Sequence, residues 1–288
     1  VECTNAEVTY DSKNWDLNIK NYTGKVKCNL TFEEAQYNNV TKWLATANVN
    51  KSYTTLNEVF NDTDTLNTLT NNNASCDYLK NSTEWINDVT SNENAMTYIG
   101  NNDYCAETLL DDSNWSDNVL DSTYFEKVLN VKVPTMTSNT TPSGECFGSS
   151  SYNASVYANG WWHAFNPTSY NGGVVGWYTI QSPGATHYLA YDYKKTGFLV
   201  KAYEVGSLYQ TKNIKIQGSN DNEVWNDIDD SSYIMPTTDT TLPVPLQIIN
   251  NTTPYRYHRF VIVHNGSTAS SSNYVVVRNA QFYGREAN

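Results

Sequence analysis

Between residues 56 and 129, apolar side chains recur every ten residues, and that interval limits the fold more than any other feature of the chain. Val59, Leu69, Leu79, Val89, Ile99, Leu109, Val119 and Leu129 form one series. Leu56, Leu66, Cys76, Ile86 and Met96 form a second, three residues earlier, which slips by one to Cys105, Trp115 and Phe125. Ten residues over three turns is about 3.3 per turn, too far from the α-helical 3.6 for one continuous supercoil. Polar breaks such as "NNNAS", "GNND" and "DDSN" separate the apolar pairs, each with a helix stop and a fresh Asn, Asp, Ser or Thr cap. The interval predicts short helices, re-capped every ten residues and stacked along an axis. Each buries two or three apolar side chains, too few to stand alone, so the core is expected to be completed against symmetry mates. A disordered polar linker fits the composition but not eight evenly spaced aliphatics.

The flanks read differently. In residues 1–48, "NWDLNIK" and "KVKCNLTF" alternate apolar and polar positions around the turn "NYTG", which predicts a β-hairpin. Thr31 and Glu34 have capping-box spacing, and Val40, Trp43, Leu44 and Ala47 follow at helical spacing. The expected unit is a small α+β hairpin–helix that docks on a partner or on copies of itself. From about residue 134 onward, after a Pro/Ser/Thr-rich link, short alternating strands such as "HYLAYDY", "KNIKIQGS" and "YRYHRFVIVHNG" predict an all-β sandwich. The reading is multi-domain: 1–48, a repetitive short-helix shaft at 49–133, and a sandwich at 134–288.

Composition excludes several classes of function. The formal charge of −12 and the lack of a Lys/Arg cluster argue against nucleic acid and anionic membrane as partners. No apolar run approaches the roughly 20 residues of a membrane span, so no insertion is expected. Charged residues are 17% of the chain while Asn, Ser, Thr and Tyr abound, a neutral hydrogen-bonding surface suited to sugars. Cys3, Cys28, Cys76, Cys105 and Cys146 include no CxxC. Cys28, Cys76 and Cys105 fall at apolar positions and read as small buried hydrophobes, with a Cys3–Cys28 bridge left open. His163, His187, His258 and His264 have no metal-ligand spacing, and no nucleophile or nucleotide motif is present, so the chain reads as a non-enzyme.

The C-terminal motifs "NIKIQGSNDNEVWNDID", "YRYHRFVIVHNG" and "VVVRNAQFYGRE" resemble the discoidin family (coagulation factor 5/8 type C), over about 150 residues. That resemblance implies a galactose-binding-like jelly roll whose loops bind sugars, and sometimes lipid headgroups or proteins. Many members carry a structural calcium near an Asp and a Glu, positions that read Asn166 and Asn279 here. Two lost anionic oxygens weaken such a site, so no metal is assigned, although carbonyl oxygens leave calcium weakly supported. The decad "SNENAMTYIGN" ahead of a discoidin-like domain is similar to fibre and receptor-binding proteins of tailed phages, commonly homotrimers.

Candidate binding residues concentrate in "GWWHAFNPTSYNGGVVGWY". Aromatic faces stack on sugar C–H faces, so Trp161, Trp162, His163 and Tyr170 are taken as glycan-contacting, together with Arg256. Trp177 and Phe165 are expected in the core, Trp225 as a structural cap, and Arg259 in a structural hydrogen bond. The resulting expectation is a virion fibre, head or tail, on the particle surface. Residues 1–48 would attach to the particle and the tip would bind host-surface glycan for adsorption. The alternatives are a capsid-decorating protein with only protein contacts and a secreted carbohydrate-binding module.

Overall fold

The computed structural model describes residues 2–4, 7–11, 16–21, 27–29, 34–152, 160–166, 176–180, 184–195, 197–207, 211–233, 246–264 and 274–287. It divides into two compact units, Val1–Tyr78 and Leu79–Asn288.

In the first unit, strands β1 (Glu2–Thr4), β2 (Glu7–Asp11), β3 (Asp16–Lys20) and β4 (Lys27–Asn29) precede helix α1 (Glu34–Thr46). The pairing corrects the expected hairpin. β3 pairs with β2, and β4 pairs with β1, so the two alternating segments are nested and do not face each other. The four-residue link between β2 and β3 lets that pair close locally, which leaves β4 to the outer strand. The register sets Cys3 opposite Cys28, within the Cα separation that a disulfide spans. Helix α1 buries Val40, Trp43 and Leu44, and the Trp43 indole donates to the Ser75 carbonyl at 3.0 Å. Helices α2 (Leu56–Asn61) and α3 (Thr63–Thr70) meet at Asp62. Its carboxylate caps α3 by accepting from Thr65 N–H and also takes Lys51 and Tyr53. These bonds, the one from Lys51 foremost, hold the Asp62 carboxyl well below the usual carboxylate range. Helix α4 (Asn73–Asn81) spans the division between the units.

The second unit continues with α5 (Ile86–Thr90), α6 (Glu93–Gly100), α7 (Asp103–Leu110), α8 (Ser113–Asp121) and α9 (Phe125–Val128). Asn92, Asn102 and Asp112 each accept from the backbone N–H three residues on, so the helix phase is reset at ten-residue intervals. Helices α6 and α7 each bury adjacent residues on two turns: Ala95, Met96, Ile99 and Gly100 on α6, and Cys105, Ala106, Leu109 and Leu110 on α7. Both members of each adjacent pair on these two helices are inside, so the apparent slip at Cys105 is a change in which neighbour is larger, whereas on α8 Trp115 is buried and Ser116 only half-buried. The expectation that these side chains need other copies of the chain is not met. Trp85, Val89, Met96, Ile99, Leu109, Trp115 and Val119 are all at most 1% exposed within one chain. The core closes because the path returns on itself after three helices. The Trp115 indole donates to Lys80 O at 2.8 Å, and Ser122 Oγ donates to Thr90 O. α6 meets α9 so closely that a Cβ on Gly100 would overlap the Lys127 carbonyl.

Two antiparallel sheets follow. One is ordered β12-β9-β14-β5, from β5 (Val131–Lys132), β9 (Phe198–Ser207), β12 (Gln247–Ile248) and β14 (Val276–Glu286), with β7 (Trp177–Tyr178) also on β14. The other is ordered β11-β10-β13-β8-β6, from β6 (Glu145–Gly148), β8 (Thr186–Asp192), β10 (Thr211–Ser219), β11 (Asn226–Tyr233) and β13 (Tyr257–His264). They form a sandwich around Phe165, Trp177, Tyr191, Phe260 and Phe282, so Phe165 and Trp177 are core residues as expected. Phe260 and Phe282 stack across the sheets at 4.2 Å.

The outer faces of the two sheets differ. β9 and β14 are buried on both sides over most of their length. Helix α7 is pinned to them by two buried cations: Lys201 reaches Asp111 at 2.7 Å, and Arg285 reaches Asp103 at 2.6 Å and donates to Val128 O. Phe125 packs edge-on against Tyr283 at 5.1 Å. β13 alternates buried and half-buried residues instead, the pattern of a sheet with one wet face.

Candidate functional site

That wet face is the candidate site. β13 is the middle strand, and it presents Tyr257, Arg259, Val261 and Val263 outward. Lys215 and Gln217 on β10, Tyr188 on β8 and Phe147 on β6 are half-buried around them. The register pairs Gln217 with Arg259 and Lys215 with Val261, and pairs Val261 in turn with Tyr188.

A stiff turn places an indole over this face. In "SNDNEVW", Asp221 Oδ1 accepts from the N–H groups of Glu223 and Val224 and from Ser219 Oγ. These bonds hold the Asp221 carboxyl below its ordinary pKa. Asn222 takes a left-handed φ of 63°, which Asn tolerates, and its carbonyl accepts from the Trp225 indole at 3.3 Å. Gly218 is needed beneath, because a Cβ there would overlap the Tyr255 ring. Trp225 thereby lies over the Arg259 guanidinium, 3.9 Å from ring centroid to Cζ, with Tyr188 at 5.2 Å. Phe147 and Trp225 both meet Tyr257 edge-on, at 6.3 and 6.4 Å. The result is an aromatic ladder with a cation at its centre. Val224, 64% exposed, stands at the turn beside it.

Hydrogen bonds fix the polar groups in series. Lys215 Nζ binds Asp227 Oδ2 at 2.7 Å, Gln217 Nε2 donates to Asp227 Oδ1 at 2.6 Å, and Arg259 Nε donates to Gln217 Oε1 at 2.7 Å. Burial pulls the Arg259 pKa down, against the attraction of Tyr188 and Asp227.

The residues chosen from the sequence are dispersed. Trp161, Trp162 and His163 lie in a 3-10 turn, Trp161–Phe165, and the two indoles pack on the sandwich core. Trp161 abuts Gly148, where a Cβ would collide with its ring. Trp162 stacks on His163 at 3.5 Å, and burial lowers the His163 pKa. Tyr170 lies outside the described residues. Arg256 sits elsewhere. Trp161 is at the level of Leu189, the partner of Gly148, whereas Arg256 precedes Tyr257, the partner of Asp192 three residues farther along β8. Arg256 makes a bidentate pair with Asp192 at 2.9 and 3.0 Å, and Asp192 also binds Lys194. Burial pushes the Asp192 carboxyl up, but the bonds from Arg256 and Lys194 outweigh it and leave its pKa lowered. Arg256 is thus paired with a carboxylate, while Arg259 is partly buried between Gln217 and the Trp225 ring. Trp225 and Arg259 were legible as a pair only through the register.

For a metal, the donors do not converge. Asn166 Nδ2 donates to Met136 O at 2.7 Å, and Asn279 Nδ2 donates to Glu204 at 3.4 Å. Among the described residues, no group of three His, Cys, Asp or Glu side chains could hold an ion.

No protein-family model and no curated protein matches the chain. Solved structures give distant likenesses. The family 32 carbohydrate-binding module from Streptococcus pneumoniae EndoD is 12% identical at TM-score 0.37, covering 51% of this chain and 100% of that one. The Clostridium perfringens module CpGH89CBM32-5, in complex with GalNAc-beta-1,3-galactose, is 10% identical at 0.36, covering 49% and 94%. The C-terminal domain of a chitobiase from Bacteroides fragilis is 14% identical at 0.36, covering 52% and 99%. Likeness this distant says nothing of what this chain binds.

Proposed function

We propose that this chain is a non-catalytic virion fibre protein of a tailed bacteriophage, and that its sandwich binds host-surface glycan during adsorption. The carrying observation is the half-buried aromatic ladder of Trp225, Tyr257, Tyr188 and Phe147 on the wet sheet. Aromatic faces of this kind match the C–H faces of sugars, and the flanking amide and charged groups match hydroxyls. The fibre context rests on the resemblance of the decads, and on a helical region pinned to the sandwich by two buried cations on half-exposed carboxylates, as a stiff spacer requires. Residues 1–48 would attach the chain to the particle and join three copies, since the helices close their own core. Weak single sites would then gain from avidity. A secreted carbohydrate-binding module shares the glycan face and differs in having no particle attachment.

A glycan array probed with wild type, Trp225→Ala and Trp162→Ala tests the reading. Binding by wild type and by Trp162→Ala but not by Trp225→Ala is expected. Failure of wild type on every glycan favours a decorating protein with only protein contacts. Light scattering should give about three times 32.5 kDa for the fibre assembly, and a clean monomer would sink that part.

A further inference from the structure

We propose that the wet sheet face selects an acidic sugar, whose carboxylate is held end-on by the Arg259 guanidinium. The proposal rests on the glycan reading and names its substrate class.

The other cations near the sandwich show what is unusual about Arg259. Arg256 ends on Asp192, Arg285 on Asp103, Lys201 on Asp111, Lys194 on Glu145 and Lys215 on Asp227. Arg259 ends on no carboxylate among the described residues. The nearest candidate, Asp227, has one oxygen on Lys215 and the other on Gln217. Lys215 and Asp227 pair with each other, so the Arg259 guanidinium keeps its charge without a salt-bridged carboxylate among the described residues. Arg259 Nε is committed to Gln217 and its ring-like plane lies against Trp225. The side chain is therefore locked before any ligand arrives, and its Nη1–Nη2 edge has no protein acceptor among the described residues.

A guanidinium edge of this kind matches two coplanar oxygens. A single guanidinium without a salt-bridged partner suits one carboxylate. The rings of Tyr188 and Tyr257 supply apolar walls beside it, as a pyranose ring needs. A uronic- or sialic-type sugar meets all three requirements. An acidic peptide would use the cation alone.

The test is calorimetric titration of the intact chain with an oligogalacturonate, the same oligosaccharide after reduction of its carboxyls to alcohols, a sulfated neutral oligosaccharide, and a poly-glutamate peptide. A bond from a charged donor is worth a factor of about 10–100 in affinity. The acidic oligosaccharide should therefore bind that much more tightly than its reduced form. Arg259→Gln should erase the difference, and Arg259→Lys should restore only part of it, because lysine cannot make the paired contact. Equal affinity for acidic and reduced forms overturns the proposal while leaving the glycan reading intact. Preference for sulfate overturns the carboxylate assignment. Binding of poly-glutamate without binding of any sugar overturns both and marks a protein interface, and binding of nothing overturns both as well. Should Arg259→Gln fail to fold, the comparison of acidic and reduced sugar on wild type still decides.

Discussion

Fully buried His258 is the residue whose chemistry is most exposed to test. It lies among the rings of Tyr193, Phe198, Tyr255 and Phe282 with no hydrogen-bond partner on either nitrogen among the described residues. Burial lowers its pKa from 6.5 to about 3. The folded state thus resists a proton that the unfolded chain accepts at about pH 6.5, so stability is unaffected above that value and falls as pH drops toward 3. Between pH 6.5 and 5 the loss should reach about 2 kcal/mol. His187, lowered by burial and by the nearby His264, adds a loss of the same sign. Denaturant melts across that range should flatten in His258→Phe; an unchanged acid limb would assign the loss to other groups. The same residue illustrates what sequence could and could not say. Its place on the inner face follows from the alternation of "YRYHRFVIVH", but its aromatic cage draws on β9 and β14, which no local pattern names. Arg256 immediately precedes the strand that carries Arg259, and only the position of Asp192 decides which of them is paired with a carboxylate.

At the scale of elements, the helices were legible because their signals are local. A cap such as Asn102 and a stop such as Asn101 lie within one turn of the residues they control. What packs on them was not legible, since the partner lies about thirty residues away. The nested β1–β4 and β2–β3 pairs failed to read for the same reason: alternation marks a strand but not its neighbour. The contact of α7 with the sandwich makes a sharper prediction. Lys201 is buried to 4% of its side chain while Asp111 remains half exposed. Asp111→Ala leaves a buried ammonium without its anion and should cost about 1–3 kcal/mol, whereas Lys201→Met removes the charge and should cost less. Urea denaturation of the two variants checks the order, and a costlier Lys201→Met would mean that the pair is a net source of stability.

At the scale of the molecule, the proposed function follows from an asymmetry. One sheet is sealed by helices through Lys201, Arg285 and Phe125, and the other keeps its outer face in water with Trp225 above Arg259. The sequence announces a sandwich and a sugar-compatible surface, and it directs attention to the aromatic-rich "GWWHAFN" segment, where Trp161 and Trp162 are half-buried against the sandwich core. The most direct test is an amide–indole NMR titration of the intact chain with a glycan that the array identifies. Eight tryptophans give eight indole N–H signals, assignable by single Phe substitutions. The account predicts that the Trp225 signal shifts with saturation while those of the buried Trp85 and Trp115 stay fixed. Shifts confined to Trp161 and Trp162, with Trp225 unmoved, would contradict it.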